Sequence, residues 1–256
     1  MFEQIYHDYL IHKNEENRKD RYEGKESWYH ASGAGFCSRK LYFESVEKAE
    51  PTNPPKEKSM RVMRLGTIVH EDIQNALIYY NNIYNNKTNN KVLLDKVNIA
   101  VPESFEYETE GEIELPHFNV RGYFDVLERG ESSSKLYDIK TSSGWGFKQK
   151  FSPKTTFPTE NRNHYLQVAT YGLAIKERLG GLDSMHICYY NKDTSEIQMQ
   201  TIPEAYLDKA KRYWHSINEE HAKGLPEFRM GVSPAYKWCC NYCQFKDHCN
   251  PPSTIF

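Results

Sequence analysis

The chain has 256 residues, of which 38% are hydrophobic and 14% aromatic, enough apolar surface to bury a sizeable core in one large domain or two small ones. Its formal net charge of −2 excludes the strongly basic or acidic character that would by itself indicate a nucleic-acid or membrane partner. No apolar run approaches the roughly 20 residues that cross a bilayer, and the N-terminus has no apolar signal core, so we expect a cytoplasmic protein without a membrane partner.

Helices dominate the first third of the predicted secondary structure. Residues 1–30 are predicted to form an amphipathic helix and a loop, residues 37–47 a short helix, and residues 51–58 a loop rich in helix breakers. Residues 59–84 are predicted to form one long helix. Its apolar positions recur at helical spacing and are expected to face the core: Val62, Leu65, Val69, Ile73, Ala76 and Tyr80.

Strands and helices then alternate. Strands are predicted at residues 91–101, 117–129, 134–141, 184–191 and 196–202, and helices at residues 162–179 and 203–223. This order predicts a mixed α/β domain in which helices pack on a sheet.

Two acidic side chains and a lysine stand out in the predicted strands. In a strand at Asp138, side chains alternate, so Asp138 and Lys140 share one face while Tyr137 and Ile139 share the other. We expect the apolar pair to face the core and the charged pair to lie together on the open face. Asp125 lies on the preceding strand of a predicted hairpin, which would place the two carboxylates side by side.

This arrangement suits phosphodiester hydrolysis. Two carboxylates hold a hard divalent cation, and the cation activates water and polarises the phosphate. Lys140 adds positive charge where negative charge develops. The alternative is that Asp138 and Lys140 are simply an exposed strand pair.

Polar residues on the predicted helices add to this pattern. His70 follows Gly66 by four residues, and the glycine allows another backbone to approach the face on which His70 lies, where the imidazole could bind a metal. Gln167 and Tyr171 are also four apart, as expected for a surface that contacts nucleic acid, with Tyr171 as a stacking candidate. The alternatives are a surface histidine and a solvated helix face.

The local charge balance is uneven. Residues 34–66 carry seven Lys or Arg against four Asp or Glu, and residues 140–178 carry seven against two, whereas residues 100–138 carry three against ten. The two basic segments, which contain Arg39 and Lys148, are predicted to contact DNA phosphates; the alternative is that they are solvated faces.

Cysteines cluster near the C-terminal end of the sequence. Three of the six are spaced C-x2-C-x5-C, at Cys240, Cys243 and Cys249. Cys37, in a polar segment, is the candidate fourth ligand, whereas Cys188 lies in an apolar strand and is expected to be an inert buried thiol. Cys239 competes with Cys240 for the first position of the motif.

The spacing of the cysteines does not decide whether they bind zinc or an iron–sulfur cluster. Four thiolates hold either zinc or an iron–sulfur cluster, and His248 keeps the zinc alternative open.

Taken in order, these motifs resemble the iron–sulfur-containing RecB-like nucleases of the PD-(D/E)XK superfamily, a group that includes CRISPR-associated RecB-like exonucleases and AddB-type nuclease subunits. The resemblance rests on six segments in the family's order: Ser32–Tyr42 with Cys37, Gly66–His70, Gly122–Asp125, Asp138–Lys140, Gln167–Tyr171 and the three C-terminal cysteines. The chain departs from many relatives in having Asp138 where they have glutamate, and in its doubled cysteine.

The resemblance implies a restriction-endonuclease-like core with a 4Fe–4S cluster that joins the two ends of the chain. It divides the chain into an N-terminal helical segment (1–58), a nuclease core (59–232) and a cysteine segment (233–256). It implies that Mn²⁺ or Mg²⁺ binds His70, Asp125, Asp138 and the Ile139 carbonyl, that Lys140 is catalytic, and that the cluster ligands are Cys37, Cys240, Cys243 and Cys249.

The function implied is a metal-dependent deoxyribonuclease, with exonuclease activity on single-stranded DNA or DNA ends favoured over endonuclease activity. Recombination, repair, phage DNA metabolism or CRISPR adaptation would supply its DNA and partner proteins. The alternative is a non-catalytic DNA-binding scaffold that retains an iron–sulfur or zinc site.

Overall fold

The computed structural model describes residues 1–22, 28–85, 105–151, 154, 161–233 and 236–249. The strand predicted at residues 91–101 lies outside these ranges. Within them the elements follow one another as α1 (Phe2–Tyr22), β1 (Tyr29–His30), α2 (Ser38–Leu41), α3 (Glu57–Asn85), β2 (Glu106–Leu115), β3 (Val120–Arg129), β4 (Ser134–Ser142), α4 (Gly144–Phe151), α5 (Arg162–Leu179), β5 (Ser184–Asn191), β6 (Ile197–Ile202), α6 (Ala205–His221), α7 (Lys237–Asn241) and α8 (Lys246–Cys249).

These strands form one mixed sheet, which confirms the predicted α/β architecture. β3 pairs antiparallel with β2 along its whole length and with β4 at one end, β4 pairs parallel with β5, and β5 pairs antiparallel with β6. The short β1 pairs parallel with the start of β3. Because β2 occupies one edge of β3 completely, β1 and β4 share the other edge.

Two of the longer elements, β2 and α4, were not predicted, and neither were the short β1, α7 and α8. In β2 the residues Gly111, Ile113 and Leu115 are buried, and the glutamates between them are exposed. This period of two is the signal that identifies a half-buried strand. α4 is held by Phe147, which is buried in the main core.

Helices cover both faces of the sheet. The main core packs between one face and helices α5 and α6, and it contains Leu136 and Tyr189 from the strands and Val168 and Trp214 from the helices. α5 ends at Gly180, whose φ of 76° is the left-handed conformation typical of a helix terminus.

The opposite face of the sheet lies under α3. Val126, Ile139 and Cys188 form a small cluster there, against which Ile73 and Leu77 of α3 pack. The predicted core stripe of α3 is therefore correct at Ile73 and wrong at Val62, Leu65 and Ala76, which are exposed.

The N-terminal and C-terminal segments contact each other through backbone hydrogen bonds. The amides of Thr52 and Asn53 donate to the Gln244 carbonyl at 2.9 and 3.0 Å. His248 is hydrogen-bonded to the Glu50 carbonyl at 2.8 Å. These contacts bring Cys37 and the C-terminal cysteines to the same region of the molecule.

Candidate active site

The predicted acidic residues lie where β3 and β4 separate. Pairing between the two strands ends at Val126 and Tyr137, after which β4 continues with β5 alone. We call the gap beyond this point the wedge. Asp125 enters it from β3, and Asp138 and Lys140 enter it from β4.

Buried Asp138 and partly buried Lys140 form an ion pair in the wedge. Lys140 Nζ donates a hydrogen bond to Asp138 Oδ1 at 2.9 Å and lies 2.7 Å from Oδ2, although Oδ2 accepts no well-directed hydrogen bond. Asp138 is only 1% exposed. The expectation that this pair lies on an open face is wrong, because α5 covers the face on which it lies.

Burial sets the charge state of the pair. Burial, opposed by the Lys140 charge and reinforced by that of Asp125, raises the pKa of Asp138 to about 6. Burial alone would lower the pKa of Lys140, but the neighbouring Asp138 and Asp125 carboxylates raise it. The lysine therefore stays protonated, and it is paired with Asp138.

Asp125 is fixed by the opposite strand and faces His70. Its Oδ2 accepts a hydrogen bond from the Ile139 amide at 2.6 Å, a bond that replaces the strand pairing lost at the wedge. His70 Nδ1 lies 3.7 Å from the same oxygen. A β-carbon built on Gly66 would lie 3.1 Å from Thr141 Oγ1, so the glycine allows the close approach of α3 to β4 that places His70 here.

Two residues of this region, Gln74 and Glu110, were missed by the sequence analysis. Gln74 is buried one helical turn after His70, and its Nε2 donates to Glu110 Oε1 at 2.5 Å and lies 3.3 Å from the Asp125 carbonyl. Glu110 is opposite Asp125 and has a φ of 51°, a left-handed conformation within a strand. The i to i+4 spacing from His70 could have identified Gln74, but no sequence signal identifies the conformation of Glu110.

Gln167 and Tyr171 pack against the inner side of the wedge. Gln167 Nε2 donates to the Tyr171 hydroxyl at 2.9 Å, and both side chains are buried. Burial, and then the charges of Asp138 and Asp125, raises the pKa of Tyr171 well above its ordinary value. The prediction that these two residues form a DNA-contacting surface with Tyr171 as a stacking platform is wrong, since neither ring face of Tyr171 is accessible.

His164 extends this buried polar layer. Its Nδ1 is 2.9 Å from the hydroxyl of Tyr189, the residue that pairs with Lys140 in the sheet. Burial, together with the charges of Lys140 and Lys150, lowers the pKa of His164 well below its ordinary value, so the imidazole is neutral.

An open cleft of about 620 Å³ gives access to the region from the α3 side. It is lined by residues of α3, β2 and the ends of β4 and β5, namely Val62, Met63, Gly66, Thr67, His70, Glu71, Gln74, Glu110, Thr141 and Lys192. Lys192 was not predicted, because it follows β5 and reaches the cleft only through the pairing of β4 with β5.

The cysteines form a second site on the other side of the molecule. Cys37, Cys239, Cys240, Cys243 and Cys249 line one cavity of about 110 Å³, which we call the cysteine cavity. Burial, reinforced by Cys240 and Cys37, raises the pKa of Cys239, and burial likewise raises the pKa of Cys243. Cys188 lies outside the cavity in the small cluster under α3, as predicted for a buried thiol.

Arg39 belongs to this cavity and not to a DNA surface. It is 8% exposed, its Nε donates to Cys249 Sγ at 3.2 Å, and its Nη1 donates to the Pro226 carbonyl at 2.6 Å. The prediction that Arg39 contacts DNA is therefore wrong, because its donors point inward. Lys148, by contrast, is exposed on α4.

Cys239 and Cys240 both remain candidates for the first position of the cysteine motif. Each lines the cavity, and Cys240 also packs against Gly231, where an added β-carbon would lie 2.1 Å from Cys240 Sγ.

In neither site do the candidate ligand side chains converge on one metal position. Among the described residues, no three His, Cys, Asp or Glu side chains converge closely enough to hold one metal ion as they stand. Within the same ranges, none of the helices combines the length and apolar character that crossing a bilayer requires.

Comparison with known proteins identifies a family. The sequence profile of the PD-(D/E)XK nuclease superfamily matches residues 86–250, more than half of the chain. No curated protein matches significantly.

The solved structure of the alkaline exonuclease LHK-Exo from Laribacter hongkongensis is 12% identical, with 78% of this chain and 90% of that chain covered and a TM-score of 0.47. A candidate exonuclease from Eubacterium rectale is 12% identical, with coverages of 90% and 91% and a TM-score of 0.49. Both likenesses are too distant to carry an argument about activity.

Proposed function

The chain belongs to the PD-(D/E)XK nuclease superfamily, and from this premise we propose that it is a divalent-metal-dependent deoxyribonuclease that digests single-stranded DNA or DNA ends as an exonuclease. The observation that carries the proposal is the wedge, in which Asp125, Asp138 and Lys140 meet beside an open cleft. By resemblance to RecB-like nucleases, the DNA would come from recombination, repair, phage DNA metabolism or CRISPR adaptation.

The residues of the wedge fit a divalent cation. His70, Asp125, Asp138 and the Ile139 carbonyl supply hard oxygen atoms and one imidazole, a donor set suited to Mn²⁺ or Mg²⁺. Burial raises the pKa of Asp138, and the nearby Asp125 charge adds to the increase, so a cation between these two carboxylates would relieve an unfavourable concentration of negative charge. Binding would require Asp125 and Asp138 to turn from the Ile139 amide and from Lys140, which are their present partners.

A bound cation supplies Lewis acidity to the scissile phosphate and a more acidic water. The protein's own contribution is electrostatic and positional. Lys140, protonated and partly buried, places a positive charge where the attacked phosphate gains negative charge. Gln167 and Tyr171 have no free surface for DNA and act by packing behind the carboxylates, which makes them positioning residues.

We assign a 4Fe–4S cluster to Cys37, Cys240, Cys243 and Cys249 by resemblance to the iron–sulfur RecB-like nucleases, and all four of these cysteines line the cysteine cavity. A zinc ion held by four thiolates is the alternative. His248, the zinc alternative, is hydrogen-bonded to the Glu50 carbonyl and does not line the cavity.

A single experiment tests the proposed activity. Protein purified without oxygen is incubated with Mn²⁺ and with end-labelled linear or closed-circular single-stranded DNA. We expect digestion of the linear DNA only, loss of digestion with excess chelator, and no digestion by Asp138→Asn. Efficient cleavage of circles would reassign the protein as an endonuclease, and absence of cleavage of any DNA would favour a non-catalytic scaffold.

A further inference from the structure

Trp145 is the most exposed of the four tryptophans. Its side chain is 75% exposed, compared with 51% for Trp238, and Trp214 is fully buried. A tryptophan normally buries a large apolar area, so an exposed ring beside a functional cleft indicates a surface that receives a ligand.

The start of α4, which carries Trp145, is held at the rim of the cleft. Trp145 follows β4 at the first turn of α4, and the Gly144 amide before it donates to Asp193 Oδ2 at 2.7 Å. The Lys192 amide donates to the Ser142 carbonyl at 2.9 Å. Because Lys192 itself lines the cleft, these two bonds join the start of α4 to the cleft wall. Trp145 is therefore not part of a freely moving loop.

Charge directs a nucleic acid toward this rim. The α3 and β2 side of the cleft carries Glu71 and Glu110. Glu71 is paired with Arg64 at 3.0 Å, so Glu110 is the carboxylate that repels phosphates there. The α4 side carries Lys192 at the cleft and the exposed Lys148 one turn after Trp145. A strand whose phosphate reaches the wedge is thus expected to leave the cleft across α4, and so across Trp145.

We propose that Trp145 stacks on the base of an unpaired nucleotide next to the nucleotide held at the wedge. An internal base pair has both faces of each base covered by its neighbours, so only a single strand or a frayed end offers a free face to the indole. Stacking accepts any of the bases, which suits digestion without sequence preference. The inference rests on the proposed function and deepens it, because it names the unpaired nucleotide as what this site recognises.

The test separates binding from cleavage. All proteins carry Asp138→Asn to prevent digestion, and their affinities for a fluorescein-labelled single-stranded oligonucleotide and for a blunt duplex are compared. We expect Trp145→Ala to weaken single-strand binding about tenfold, Trp145→Phe to retain most of the affinity, and duplex binding to remain unchanged. Tyr79→Ala removes an aromatic side chain that is 57% exposed and lines neither the cleft nor the cysteine cavity; it is the matched control and should bind as its parent does.

The results that would overturn the inference are distinct from failure of the proposed function. Equal single-strand affinity for Trp145→Ala and its parent would exclude stacking, and so would an equal loss of single-strand and duplex affinity. A parent protein that binds no single-stranded DNA would also overturn it. If single strands bind through Trp145 and protein with Asp138 intact cleaves no DNA in Mn²⁺, the stacking inference stands and the nuclease proposal fails.

Discussion

The carboxylates of the wedge and the thiols of the cysteine cavity differ in the partners that the protein itself provides for them. In the wedge, the two carboxylates already have partners from the protein itself, the Lys140 ammonium and the Ile139 amide. All of these groups come from one hairpin, residues 120–142, which the sheet holds together. In the cavity, five thiols from both ends of the chain surround one space, and Arg39 donates to only one of them.

If the proposed cluster is bound, we expect the wedge to fold without its metal and the cysteine cavity to depend on its cluster. Residues of the wedge should therefore affect activity far more than stability. Residues of the cysteine cavity should affect stability first, because a cofactor that binds only the folded chain adds its binding free energy to the free energy of folding.

The largest expected effect is on cleavage. Lys140→Ala and Asp138→Asn should each lower the cleavage rate by about 1,000-fold, because each removes charge needed at the reacting phosphate. Lys140→Ala should still fold, since Asp138, with its raised pKa, can take up a proton in place of the ion pair. The measurement is Mn²⁺-dependent digestion of end-labelled DNA, accompanied by a thermal melt.

Lys135→Ala is the matched control for this first prediction. Lys135 lies on the same strand and forms an ordinary ion pair with Glu128 at 2.8 Å, away from the wedge. Its variant should digest DNA at nearly the wild-type rate. Full activity in Lys140→Ala, or equal losses in both lysine variants, would contradict the assigned mechanism.

The next effect is on stability and iron content. Cys243→Ala should lose its iron and melt roughly 10 °C lower, because Cys37 is then no longer joined through the cluster to the C-terminal segment. Cys188→Ala should keep its iron and lose only about 1 kcal/mol of packing free energy, since Cys188 lies outside the cavity. Iron analysis and melting curves of both variants are the measurements, and iron retained in Cys243→Ala would disprove the cluster assignment.

A smaller change should disturb the same cavity without removing a thiol. A β-carbon at Gly231 would lie 2.1 Å from Cys240 Sγ, so Gly231→Ala must displace Cys240 and should lower iron occupancy. Gly181→Ala, where an added methyl group meets nothing within 4 Å, should retain full occupancy. Normal iron content in Gly231→Ala, together with iron loss in Cys239→Ala, would transfer the ligand position to Cys239.

The smallest expected effect is on the salt dependence of DNA binding, and it distinguishes the exposed Lys148 from the buried Arg39. Lys148→Ala should weaken DNA binding modestly and reduce the slope of log affinity against log salt concentration by about 1. Arg39→Gln should leave that slope unchanged and lower the melting temperature instead, because the Arg39 donors bind Cys249 and the Pro226 carbonyl. A reduced salt slope in Arg39→Gln would return this residue to the DNA surface.

Local patterns in the sequence were sufficient to predict how several site residues are arranged relative to one another. Alternation in the β3–β4 hairpin predicts that Asp138 and Lys140 share a face and that Asp125 is their neighbour across the hairpin, and the structure has both arrangements. Helical spacing predicts that Gln167 and Tyr171 face the same side, and they are hydrogen-bonded. These relations hold because they depend only on the repeat of a strand or of a helix.

The tertiary structure decided which side of each element is covered. Alternation places Asp138 and Ile139 on opposite faces, but helices pack on both faces of this sheet, so Asp138 is buried under α5 as fully as Ile139 is under α3. The same packing turned Arg39 and Tyr171 inward and left Trp145 exposed. Spacing along the chain determines how side chains are arranged relative to one another, whereas their access to solvent depends on which distant elements pack against them.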